Sequence, residues 1–173
     1  MTLTGTWGAG DEPPRWEFLV SHHLPTRYGR TLVFSIGGGT VHLCARCTGQ
    51  AIGVLTFLLL FLASDPVRTS LFLPAIQIAF ALAPLPAAVD WLTQSLGRRE
   101  SSNGGRVLSG LLLGLSFANL LALPLAGQWP LFLALLFVVA LYAAGLAVVL
   151  GVTGSWRRVL EEHFPGLDVR ASR

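Results

Sequence analysis

Charged residues are scarce in this chain. Only 12% of its 173 residues are charged, whereas 53% are hydrophobic. Soluble domains usually carry about 25% charged residues. The composition therefore excludes an ordinary soluble domain and indicates a membrane protein. Lysine is absent, so all 12 basic residues are arginine.

Several other features are missing. The segment from Met1 to Gly10 lacks a basic region, an apolar region and a small-residue cleavage site, so we expect no signal peptide. No long internal repeat is visible. No βαβ pattern surrounds the two cysteines, which weakens a thioredoxin-like interpretation. The sequence pI is about 9.5, but the arginines cluster at the ends of apolar segments, and we expect no nucleic-acid partner.

Four apolar segments predict an all-α membrane protein, a bundle of four transmembrane helices. A hydrocarbon core of about 30 Å requires about 20 residues per helix. The first segment reaches that length only if it extends back to Cys44. The second contains Pro74, Pro84 and Pro86, which predict a kinked helix. The expected spans cover approximately residues 44–63, 71–96, 107–126 and 131–152.

The arginines predict the orientation of these spans. Four spans place both termini and the middle loop on one side, together with 11 of the 12 arginines. Only Arg68 falls in an opposite-side loop. The positive-inside rule then places both termini in the cytoplasm of a multi-pass protein of the cell inner (plasma) membrane. The expected division is a cytoplasmic arm and hairpin over 1–43, the bundle over 44–152 and a cytoplasmic tail over 153–173.

Two local patterns add detail to this bundle. The strand-like segments 31–36 and 40–43 flank three glycines and predict a short β-hairpin beside the membrane. Small residues four apart, as in Gly49/Gly53 and Gly110/Gly114, allow close helix approach. Their spacing does not say which helices pair. Ser116 and Asn119 in the third span are expected to form interhelical hydrogen bonds.

The first candidate site is the CxxC pair Cys44 and Cys47. Zinc takes four thiolate or imidazole ligands, often with paired ligands two to four residues apart. His22 and His23 would complete a zinc-knuckle-like clip, and His42 is a local alternative. The alternatives for the two cysteines are a pair of packed thiols and a redox pair. A permanent disulfide is not expected in the cytoplasm.

The second candidate site begins at the end of the second span. Asp90 and Gln94 are four residues apart and share one helix face. Arg99, Glu100 and Arg106 follow, and arginines near headgroups suit phosphate recognition. In a catalytic interpretation Asp90 is the acid/base and the arginines hold the phosphate. In an ordinary cytoplasmic loop, Asp90 would pair with Arg98 or Arg106.

The residues in these two regions resemble a known family of membrane proteins. "HLCARCTGQAIG" is similar to the LCARCTG signature of the family called domain of unknown function 2085, and "SHHLPTR", "AAVDWLTQSLGRRESSNGGR" and "SGLLLG" agree with it. Ser21 stands where that family usually has a cysteine. The resemblance implies no reaction. It marks these residues as important: His22, Pro25, Arg27, Cys44, Arg46, Cys47, Thr48, Gly49, Asp90, Thr93, Gln94, Arg99, Glu100, Ser101, Asn103 and Arg106.

Three functions follow as hypotheses. In the first, the metal clip braces the polar pocket of a membrane enzyme that acts on a phosphate-bearing or lipid-linked substrate. In the second, the protein is a non-catalytic adaptor whose hairpin docks a partner. In the third, it is a transporter subunit. Few charges lie within the spans, so a transport pathway would require a homo-oligomer such as a dimer.

Overall fold

The computed structural model describes residues 29–36 and 39–156 of the chain. Within these residues, two antiparallel strands precede six helices. The elements are β1 (Thr31–Ile36), β2 (Gly39–Cys44), α1 (Ala45–Ala63), α2 (Asp65–Leu71), α3 (Pro74–Leu82), α4 (Leu85–Ser95), α5 (Asn103–Leu125) and α6 (Trp129–Val152).

The described residues contain four helical segments that are long and apolar enough to cross a membrane. They are α1, the α3–α4 pair over Pro74–Ser95, α5 and α6. This confirms the predicted mainly helical architecture with four candidate spans. Every backbone polar group must be satisfied inside a bilayer, and helices of this length meet that requirement locally.

The second span is divided in two, as its prolines predict. Pro74 begins α3, and Pro84 immediately precedes α4. Proline lacks an N–H group and is therefore tolerated at the start of a helix, where that group would have no intrahelical acceptor. The break lies between Leu82 and Leu85, at the middle of the span.

The predicted hairpin is also present and leads directly into the first span. Thr31 pairs with Cys44 at one end of the two-stranded sheet. Cys44 ends β2, and Ala45 begins α1 without an intervening loop. The side chain of Asn103 donates to the carbonyl of Thr31 at 3.0 Å, which attaches the hairpin to the start of α5.

The closest helix pair is α1 and α5. A Cβ atom added to Gly49 or Gly53 would lie closer than 3.0 Å to backbone atoms of α5. A Cβ added to Gly110 or Gly114 would lie equally close to backbone atoms of α1. The two predicted small-residue motifs therefore face each other, and each provides the space that the other backbone fills.

Polar side chains connect the spans within the apolar region. The amides of Gln77 and Asn119 exchange two hydrogen bonds, of 3.1 Å and 3.0 Å. Ser116 donates to the carbonyl of Phe80 at 2.7 Å. Both of the predicted interhelical residues of α5 thus bond to the second span. An interhelical hydrogen bond in a membrane contributes about 0.6 kcal/mol on average.

Candidate functional site

The polar residues of both sequence motifs meet at one end of the bundle. Arg46 is the second residue of α1, Asp90 and Gln94 lie near the end of α4, and Arg106 lies in the first turn of α5. Tight packing of α1 against α5 fixes the separation of two of these helix ends. The convergence of the two motifs, which the sequence suggested, is therefore observed.

The carboxylate of Asp90 lies at the centre of this cluster. Asp90 is only 5% exposed. Its Oδ2 atom accepts from Nη2 of Arg46 and from Nε2 of Gln94 at 2.8 Å. Its Oδ1 atom accepts from Nη2 of Arg99 at 3.3 Å. Both carboxylate oxygens are engaged, which compensates the cost of burying the charge.

Gln94 connects this carboxylate to a second buried guanidinium group. While its Nε2 atom donates to Asp90, its Oε1 atom accepts from Nη2 of Arg106 at 2.8 Å. Arg106 is 4% exposed and interacts electrostatically with Arg30 and Arg46 as well as with Asp90. Gln94 therefore links the Asp90 carboxylate to the Arg106 guanidinium group, with which the carboxylate forms no direct hydrogen bond.

Two guanidinium donors at this site have no acceptor among the described residues. They are Nε of Arg46 and Nη1 of Arg106, and both atoms are buried. Oδ1 of Asn103 is likewise a buried acceptor without a described donor. An unsatisfied buried polar group costs about 1–3 kcal/mol, and a charged one costs more. A bound group that carries acceptor oxygens would satisfy both donors.

The outer part of the site consists of exposed charges. Arg30 precedes β1 and pairs with Glu100 at 3.3 Å, although the Glu100 side chain is 82% exposed. Arg99 is 57% exposed and donates through Nε to Thr93 at 3.3 Å. Exposed ion pairs contribute about 0–1 kcal/mol each. The pair of the buried Asp90 and the half-buried Arg46 therefore dominates the electrostatics of the site.

The partner of Asp90 was not foreseen in the sequence. The loop interpretation paired it with Arg98 or Arg106, whereas the structure pairs it with Arg46 and Arg99. Arg46 lies between the two cysteines of the CxxC motif, and nothing in that motif predicts an ion pair with Asp90. The only available signal was its position at the start of a span, where a buried cation requires a carboxylate partner.

The CxxC pair lies beside this cluster. Cys44 is buried, Cys47 is exposed and neither forms a disulfide. The two thiols are in hydrogen-bonding contact, and Thr48 donates to the carbonyl of Cys44 at 3.0 Å. His22 and His23 lie outside the described residues. Within residues 29–36 and 39–156, no three His, Cys, Asp or Glu side chains group as metal ligands, so the zinc clip and the knuckle stay predictions.

The fold and the site together define a class of protein. The described part of the chain is a bundle with four candidate membrane-spanning helices, and an arginine-rich polar cluster lies at one end of these helices. The chain belongs to the family described as "Predicted membrane protein (DUF2085)", whose family model matches residues 27–120. That match includes the whole cluster, from Arg30 to Arg106.

Two relatives are uncharacterised archaeal proteins. One, from Methanothermobacter thermautotrophicus, is 35% identical over 102 residues, which cover 58% of this chain and 83% of the relative. The other, from Methanocaldococcus jannaschii, is 34% identical over 98 residues, which cover 56% of this chain and 57% of the relative. No solved structure matches this chain.

Proposed function

We propose that the polar cluster binds a phosphate-bearing group at the membrane face. The observation that supports this proposal is the pair of buried donors, Nε of Arg46 and Nη1 of Arg106, that lack acceptors in the described part of the chain. Phosphate supplies several strong acceptor oxygens, and guanidinium groups bind them as charge-assisted pairs. Ionisable residues within membrane spans are rare and costly, and they commonly belong to functional sites.

The balance of charge supports the same ligand. Four guanidinium groups, those of Arg30, Arg46, Arg99 and Arg106, surround two carboxylates, those of Asp90 and Glu100. The excess positive charge lies on the buried side of the cluster, because Arg106 is buried whereas the Glu100 side chain is mostly exposed. A dianion would offset this excess, because opposite charges attract strongly in a region of low dielectric constant.

The geometry favours a positioning role for Asp90. Three side chains donate to its two carboxylate oxygens, whereas a general base must offer an oxygen to its substrate. In this role Asp90 holds Arg46 directly and Arg106 through Gln94. The acid/base role expected from the sequence stays a prediction, and so does the assignment of Gln94, Arg99, Glu100 and Arg106 as catalytic residues.

Phosphate binding is tested with the full-length protein in a neutral detergent. Titration with inorganic phosphate at constant ionic strength is expected to raise the thermal unfolding temperature once the phosphate concentration exceeds its Kd, and the rise then continues with the logarithm of the concentration. Ligand at about 100 times its Kd stabilises the folded state by about 2.7 kcal/mol. Arg106→Gln is expected to abolish this rise. Arg106→Lys should weaken it, because an ammonium group cannot bind bidentately.

Arg68→Gln is the matched control for this experiment. Arg68 lies on α2 in an exposed pair with Asp65, outside the polar cluster. This variant should retain the full response to phosphate. An unfolding temperature that phosphate leaves unchanged in the wild type, or an undiminished rise in Arg106→Gln, would contradict the proposal. Calorimetric titration gives the Kd directly, without depending on the unfolding temperature of each variant.

The distribution of arginine supports a proposed orientation of the site. We place this end of the bundle in the cytoplasm of the cell inner membrane, because the positive-inside rule concerns short loops of the kind that contains Arg98 and Arg99. Both termini would then also be cytoplasmic. The adaptor and transporter functions stay predictions.

A zinc clip would brace the same end of the bundle. Cys44 and Cys47 lie next to Arg46, so a metal bound there would fix the guanidinium that contacts Asp90. Elemental analysis of purified protein is expected to give one zinc per chain. Cys44→Ser should lose the metal and lower the unfolding temperature. Protein without stoichiometric metal, together with a fully stable Cys44→Ser variant, would contradict the clip.

A further inference from the structure

An apolar cavity lies within the bundle, away from the exposed charges of the site. Its volume is about 500 Å³, and it is partly open to the outside of the bundle. The second span, α5 and α6 form its walls. This volume is within the range of about 300–1,000 Å³ that is typical of small-molecule sites. The walls include Phe80, Trp91, Leu120, Val138 and Leu146.

The two hydroxyl groups in the walls already donate to backbone carbonyls. Ser116 donates to the carbonyl of Phe80 at 2.7 Å. Tyr142 donates to the carbonyl of Ala81, also at 2.7 Å. Both hydroxyl donors therefore serve helix packing. The rest of the wall is mostly hydrocarbon, which favours an occupant that is itself hydrocarbon.

Arg46 is the exception, and it connects the cavity to the polar cluster. It lines the cavity and also forms the ion pair with Asp90. Its Nε atom is the buried donor without an acceptor among the described residues. The cavity is thus apolar along its walls, with a single guanidinium group whose bonding is incomplete. This distribution is complementary to an amphiphile with an anionic head.

We propose that the cavity holds the hydrocarbon chain of a lipid whose phosphate group contacts Arg46 and Arg106. This inference rests on the proposed phosphate site and adds the class of molecule that carries the phosphate. The position of the cavity identifies the source, because helices that face the bilayer enclose it and the bilayer supplies chains at that depth. Juxtamembrane arginines also attract anionic headgroups.

The test compares three probes by native mass spectrometry of the full chain in a neutral detergent. They are palmitoyl lysophosphatidate, glycerol phosphate and monopalmitoylglycerol. The lysophosphatidate is expected to bind at least about tenfold more tightly than glycerol phosphate, since burial of about two methylene groups already gives that factor. It should also bind more tightly than monopalmitoylglycerol, which has the same chain but no phosphate to pair with the guanidinium groups. Arg46→Gln should weaken binding of both phosphate probes.

Cavity variants separate the chain from the head. Ala143 lines the cavity from α6, and Ala143→Phe should fill part of it. We expect at least about tenfold weaker binding of the lysophosphatidate and unchanged binding of glycerol phosphate. Ala144→Phe is the matched control, because Ala144 is exposed on the same helix and does not line the cavity. Ala88→Leu tests the same cavity from the second span.

Each outcome decides between the two proposals. Equal affinity for lysophosphatidate and glycerol phosphate would overturn the lipid inference and leave the phosphate site standing. Equal affinity for lysophosphatidate and monopalmitoylglycerol would overturn it too, because the cavity would then bind the hydrocarbon chain without any contribution from the phosphate group. Failure of both phosphate probes to bind would overturn both proposals. The comparison of probes in the wild type decides the question even if a cavity variant does not fold.

Discussion

Replacement of Asp90 by alanine is expected to destabilise the protein by up to about 3–5 kcal/mol, which is the cost of removing one partner from a fully buried ion pair. Asp90 is 5% exposed and compensates Arg46 and Arg99 directly. Without it, Gln94 also loses the acceptor that holds its amide towards Arg106. Several positive charges would then remain close together with little compensation.

Unfolding of the detergent-solubilised protein by added dodecyl sulfate measures this loss. Asp65→Ala is the matched control, because Asp65 forms an exposed pair with Arg68 three residues away. That variant should change the free energy of unfolding by no more than about 0.5 kcal/mol. If Asp90→Ala proved as stable as Asp65→Ala, the cluster would not depend on its carboxylate. Asp90→Asn, which keeps the shape, should lie between the two.

Replacement of Gly53 by alanine is expected to cost about 1–3 kcal/mol through overpacking. The added Cβ would lie closer than 3.0 Å to the backbone of Leu111 and Leu115 on α5. Backbone atoms cannot rotate away as a flexible side chain can, so α1 and α5 must separate. Larger side chains at position 53 should destabilise the protein further, in the order of their volumes.

Gly145→Ala provides the comparison for Gly53→Ala. Gly145 lies within α6, and an added Cβ there would meet nothing within 4 Å. The same substitution should therefore be neutral or slightly stabilising, since alanine favours helix by about 0.5–1 kcal/mol over glycine. Equal unfolding midpoints for the two variants would show that the glycine contact between α1 and α5 does not limit stability.

Comparison of Gly53→Ala with Arg106→Gln separates effects on stability from effects on phosphate binding. Gly53 lies one turn further into α1 than Gly49 and does not belong to the polar cluster. Loss of phosphate binding in Arg106→Gln with retained folding would assign the effect to the site itself. If Gly53→Ala weakened phosphate binding as much as Arg106→Gln did, the loss of binding would reflect the stability of the fold and not the arginine site.

The sequence by itself determined the properties that depend on neighbouring residues along the chain. Four apolar runs specify four helices, because a backbone in lipid must satisfy its hydrogen bonds locally. Pro84 specifies the break in the second span, since it lacks an N–H group. The alternation of strand-forming residues around three glycines specifies the hairpin. Each of these features has a local physical cause.

Only the tertiary structure decided which residues meet. The pairing of Arg46 with Asp90 joins residues 44 positions apart, and it depends on the rotation of each helix about its axis. The small-residue spacings were visible, but only helix packing shows that Gly53 of α1 faces α5. From the sequence, Arg106 is equally compatible with an exposed arginine that only sets the orientation of the spans. In the structure it is buried and donates to Gln94, which makes it part of the site. Hydrophobic patterning cannot fix these choices, because the surrounding lipid is as apolar as the helices and exerts no preference between their faces.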